Sequence, residues 1–186
     1  MTALVQHTLT KAEREARRAE RAAQKERERQ AQEAVLPDSV HSVPLTEMVY
    51  TAASKKELKA KRREFTPMRS AFLRDLAEKS APLLRRAGLS NSQIALMSKG
   101  KSPAGWNVHH KHPLGGGGKN EFANFIFIQN DPYHTDFHKV SDVQIRALKD
   151  GETRTIRIPV PQGSVFVPPE RQIQNALLAK HTVQSR

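Results

Sequence analysis

The stretch WNVHHKHPLGGGGKNEFANFIFIQNDPYHTDFHKV, residues 106–140, constrains this chain more than any other segment. It holds five of the eight histidines, a cluster at 109, 110 and 112 and a pair four residues apart at 134 and 138. Phe125 to Ile128 is a short β-prone apolar run, and Asp131 with Pro132 suits the cap and first turn of a helix. The order is strand then helix, which puts His134 and His138 on one helical face where both rings reach one ion. Trp106, Val108 and the histidines after them read as an earlier strand entering the loop PLGGGGKN, whose glycines let the chain turn freely. Together these pieces predict a hairpin leaning on a helix. Neighbouring strand side chains point to opposite faces, so His109 and His110 cannot share one task. One completes the metal set, and the other stands free as a base with an ordinary pKa near ~6.5, suited to taking a proton from water.

The rest of the chain says what such a unit would act on. At 186 residues there is room for one ordinary domain plus extensions. With 31 Lys and Arg against 19 Asp and Glu the net charge is +12, which points to a polyanionic partner such as nucleic acid. There is no cysteine, so disulfides and thiolate metal sites are excluded and any metal is held by nitrogen and oxygen. No apolar run approaches the ~18 residues of a membrane span, and residues 1–30 carry no apolar segment of the Sec type. The expectation is a protein made soluble in the cytoplasm, with no membrane partner and with export by a non-Sec route left open.

Residues 1–54 read as a charged helical extension and linker, and residues 55–186 as the compact domain. Residues 11–35 are Ala, Gln and charge, a helix with almost nothing to bury, on which Lys11, Arg14, Arg18, Arg21, Lys25 and Arg29 form a basic stripe. Pro37 and Pro44 mark the linker. Thr66 with Pro67 suits a helix start, Ser80 with Pro82 opens a second helix that Gly88 closes, and Ser90 with Gln93 makes a capping box for a third that Gly100 closes. Just upstream, Lys55, Lys56, Lys59, Lys61, Arg62 and Arg63 are the densest candidates for phosphate contact, balanced against a solvated face. After the histidines, ETRTIRIPVPQGSVFVPP alternates about Pro161 and Gly163 as a small β-hairpin would, and Ile173, Leu177 and Leu178 have helical spacing.

Six residues, His109, His110, Pro113, Asn124, His134 and His138, resemble in order the signature of HNH endonucleases, the ββα-metal or His-Me finger fold, in the all-histidine form of colicin and pyocin DNase toxins. The resemblance covers residues 105–140, about a fifth of the chain. It implies an α+β protein in which a ββα-metal nuclease core is joined by N-terminal helices and the small hairpin. It also implies His109, His134 and His138 as ligands of one divalent ion, His110 as general base, and Asn124 as the residue orienting His110, with Asn120 the competing candidate. Three imidazoles suit Zn, Ni, Co or Mn better than Mg.

The chain departs from that family where a positioning arginine precedes the double histidine, since Pro103 and Asn107 occupy the neighbourhood; Lys101, Lys111 or Lys119 is the candidate substitute. His112 has no family role and reads as a solvated histidine. The glycine run fails as a phosphate-binding P-loop, because Pro113 stands where the first Gly is required and Asn120 follows Lys119. The expected function is metal-dependent hydrolysis of DNA, with RNA still open. The setting is a bacterial toxin or secreted effector with an acidic immunity protein as partner. A phage or mobile-element HNH nuclease and a non-catalytic, zinc-stabilised nucleic-acid binder are the alternatives.

Overall fold

The computed structural model describes residues 10–175 and is of the α+β class. Helix α1, Lys11–Ala34, belongs to a unit of its own that ends at Leu36. It is opened by a reciprocal cap: the backbone N–H of Thr10 donates to Glu13 (2.7 Å) and that of Glu13 to the Thr10 hydroxyl (3.2 Å). Its surface is polar nearly all round and is laced by pairs such as Gln24 with Glu28 and Arg29 with Glu26.

The second unit starts at Pro37, so the segment expected to be a linker is part of the body. Strand β1, Ser39–Val40, turns through His41 and Ser42, both at positive φ, into β2, Val43–Thr51. Helix α2, Lys55–Lys79, follows, then α3, Ala81–Ala87, and α4, Asn91–Met97. The sequence suggests that α2 begins at Thr66 and Pro67, but it begins at Lys55, capped by Ser54. There the backbone N–H of Ser54 donates to Glu57 (2.8 Å) and that of Glu57 to the Ser54 hydroxyl (3.3 Å). Pro67 lies inside the helix at an exposed position, where water can satisfy the carbonyl that its missing N–H leaves free. The basic cluster is therefore the first turns of a long helix. The punctuation of α3 and α4 is as read: Gly88 closes α3 in the left-handed region (φ 105°), Ser90 and Gln93 cap α4, and the N–H of Gly100 bonds to the carbonyl of Met97.

Strands β3, Trp106–His110, and β4, Phe125–Gln129, pair antiparallel from Trp106 opposite Gln129 to His110 opposite Phe125. Helix α5, Thr135–Ile145, follows after the turn Asn130–His134, which gives strand, loop, strand and helix in the predicted order. Phe125 and Phe127 enter a core with Phe72, Leu76, Leu84, Met97 and Trp106. Ile126 and Ile128 face the other way onto Tyr133, Phe137 and Phe166. Cover on both faces explains the unbroken apolar run of β4.

Strand β5, Thr153–Pro159, overturns the hairpin expected about Pro161 and Gly163. It pairs instead with β2, from Leu45 opposite Pro159 to Thr51 opposite Thr153, giving a sheet of order β1-β2-β5. Beyond it, Val165 makes a single parallel bridge to Phe127. The alternation seen in the sequence is real, but Ile156 and Ile158 pack on Tyr50 rather than on a return strand.

Candidate metal centre

His109, the penultimate residue of β3, lies opposite Ile126 and is only 8% exposed. His134 ends a widened turn, Asn130–His134, that feeds α5, and His138 lies one turn further on the same face. The turn is fixed by Thr135, whose hydroxyl donates to Asp131 (2.6 Å) and to the carbonyl of Asn130 (3.2 Å). The helix is held against the three-stranded sheet by Gln144. Its amide donates to the carbonyl of Arg157 (2.7 Å) and accepts from the Arg157 N–H (2.8 Å), filling the place of a neighbouring strand on β5.

The ring of His109 stands 5.1 Å from those of His134 and His138, and the Nε2 atoms of the latter two are 3.2 Å apart. One ring nitrogen of each lies within 4.8 Å of the others, so the three could hold one metal ion. The donor set fits. Burial first, then His138, His134 and His110, hold His109 well below its ordinary pKa. Burial and then His138 hold His134 at about 4, against an opposing pull from Asp131. Both stay neutral at physiological pH, the state in which imidazole ligates. Asp136, between the two helical histidines, turns away to His41 Nε2 and Lys139 Nζ, each at 2.8 Å.

His110 takes the opposite side of the pleat, with its ring against Phe65 (4.5 Å) and Phe125 (4.9 Å). Its Nε2 is 3.0 Å from Oδ1 of Asn120, and Nδ2 of Asn120 donates to the carbonyl of Lys61 (2.8 Å). That second bond settles the amide's orientation, so Oδ1 accepts from His110 and the Nε2 carries the proton. Nδ1 is left with its lone pair. Burial lowers the His110 pKa and the Asn120 bond opposes it.

The orienting role expected of Asn124 therefore falls to Asn120. Asn124 instead pins the loop: its Oδ1 accepts from the N–H of His112 (2.8 Å), and its Nδ2 donates to the carbonyls of His112 and Lys119, both at 3.0 Å. His112 is also built in, with its Nε2 3.0 Å from the carbonyl of Gly116, and is half-buried rather than solvated. The loop glycines serve contact more than freedom. A Cβ on Gly116 would lie 2.2 Å from the Tyr50 ring, and one on Gly118 would lie 2.0 Å from the carbonyl oxygen of His112.

A cleft of about 420 Å³ joins the four histidines, lined also by Tyr50, Phe65, Arg62 and Asp142. Sequence reading misses Tyr50, which lies in the supposed linker, and Asp142, although Asp142 continues the four-residue spacing of His134 and His138. Of the predicted phosphate contacts only Arg62 lines the cleft. Lys61 donates to the carbonyl of Gly118 and Lys111 to that of Ala123, each at 3.2 Å, while Lys55, Lys56, Lys59, Arg63 and Lys119 are exposed outside it. A larger cavity of about 910 Å³, lined by Leu83, Val43, Val165 and Phe166 among others, holds no histidine among the described residues.

Among the described residues no helix is long and apolar enough to cross a membrane. No family model matches the chain, and no solved structure matches it. Comparison with curated proteins finds an uncharacterized protein of Escherichia coli K12, YhhZ, that is 33% identical over 135 residues. The match takes in 72% of this chain and 33% of that protein, so the chain spans about a third of its relative's length.

Proposed function

We propose that the chain is a metal-dependent endonuclease of the HNH, ββα-metal type that hydrolyses phosphodiester bonds of DNA. The observation that carries this reading is the convergence of His109, His134 and His138 beside a separate, neutral His110 whose Nε2 is already engaged. Hydrolysis of a phosphodiester needs a base for the attacking water and positive charge for the phosphate oxygens. His110 supplies the first: Nδ1 takes a proton from water as the water oxygen bonds to phosphorus and the opposite P–O ester bond breaks, the departing alkoxide taking its proton from solvent. A divalent ion held by His109, His134 and His138, of the Zn, Ni, Mn, Co or Mg kind, would supply Lewis-acid stabilisation of the charge that builds on the phosphate. Phe65 and Phe125 keep the His110 ring in place, and Asn120 keeps its tautomer.

The charge of +12 supports a sequence-independent grip on the DNA backbone. The match to only a third of a longer protein suits a nuclease module carried on a larger chain, as in a toxin or secreted effector. Such a module would be restrained in the producing cell by an acidic immunity protein. The test is a supercoiled-plasmid assay with metal-stripped protein, adding Mg, Mn, Ni, Co and Zn singly. Cleavage that depends on the added ion is the expected result. Intact plasmid and intact RNA under every ion, with metal and nucleic acid both bound, would mark a structural zinc site instead.

A further inference from the structure

Leu58, Arg62 and Phe65 follow at helical spacing on one face of α2, and all three line the histidine cleft. The register is fixed on both sides of Arg62. The ring of Phe65 is held between His110 and Phe125, and the carbonyl of Lys61 is held by Asn120, the partner of His110. Arg62 is thus set into the wall that carries the base. Its side chain is exposed, and no carboxylate pairs with it among the described residues, although Asp142 lines the same cleft.

Resting on the endonuclease reading, we propose that Arg62 is a catalytic residue whose guanidinium holds the non-bridging oxygens of the phosphodiester attacked at this centre. The exposed Lys55, Lys56, Lys59 and Arg63 of the same helix then serve only general attraction. A guanidinium donates two parallel N–H groups to a phosphate, a match that a lysine cannot reproduce. Among the described residues the cleft has no other Lys or Arg. An anion drawn to the three-histidine centre therefore meets one charged donor from the protein.

The test uses the full chain loaded with Co(II), whose visible absorption reports ligands at the centre, titrated with inorganic phosphate. Wild type should show a saturable change. Arg62→Ala should weaken phosphate binding roughly tenfold or more and Arg62→Lys should restore only part of it, while Lys59→Ala should leave it unchanged. Equal affinity in wild type and Arg62→Ala, an equal loss in Lys59→Ala, or a cobalt spectrum blind to phosphate would each overturn the proposal. None of these readouts needs cleavage. Phosphate held through Arg62 by a protein that leaves nucleic acid intact would support the anion site and sink the endonuclease reading. Failure of the wild type to take up cobalt would remove both.

Discussion

Two adjacent histidines can take different work because the pleat separates them. His109 faces α5, where burial and its neighbours keep it neutral, and His110 faces α2, where Asn120 claims its Nε2. Asn120→Ala should free the tautomer, lowering kcat by about tenfold or more while leaving bound metal unchanged. Nitrogen NMR of His110 would show the loss of the Nε2–H form. Burial at the centre also ties stability to pH. The folded pKa values of His109 and His134 lie below the ordinary 6.5, with His134 at about 4, so below pH 6.5 the unfolded chain binds protons that the folded one refuses. Metal-free protein should lose thermal stability as pH falls from 6.5 toward 4 and be insensitive to these groups above 6.5. Thermal melts of wild type against His134→Gln check this, and the variant should show the shallower decline.

Elements differ in how much of their making is local. Gly88 and the Ser90 and Gln93 pair were legible because a cap is decided by residues three or four apart. Ser54 and Glu57 carry the same signal, but Pro67 looked like a better start and an exposed helical proline is tolerated. Strands β2 and β5 were not legible as partners. Thr51 pairs with Thr153 across about a hundred residues, and nothing in either segment names the other. Spacing and pleat name His134, His138 and one of His109 and His110, and it is the family resemblance that selects His109, whereas the choice between Asn120 and Asn124 depends on where α2 places the carbonyl of Lys61. Gln144 is a similar case, a buried polar residue whose partner is the backbone of β5. Gln144→Ala should cost about 1–3 kcal/mol, since it leaves partly buried backbone groups of Arg157 unpaired. It should also weaken metal binding by loosening α5, which denaturant unfolding and metal titration would measure separately.

At the scale of the whole molecule, charge and site are unequal partners. Most of the basic residues lie outside the cleft, and a surface of that kind attracts a polyanion without selecting a bond. If about six phosphates are contacted, DNA affinity should fall roughly 10³-fold between 50 and 200 mM salt. Fluorescence anisotropy with metal-free protein reads this slope directly, and a flat response would mean that the charge serves another purpose.

The central claim is that one set of histidines holds the ion and another single histidine does the proton transfer. It is tested most directly by measuring bound metal and plasmid cleavage together in two variants of verified fold, His110→Ala and His134→Ala. The account predicts that His110→Ala keeps about one ion per chain while cleaving about 10²- to 10⁴-fold more slowly. His134→Ala should lose the ion and, with it, cleavage. A His110→Ala protein that cleaves at the wild-type rate, or a His134→Ala protein that keeps both ion and activity, would contradict it.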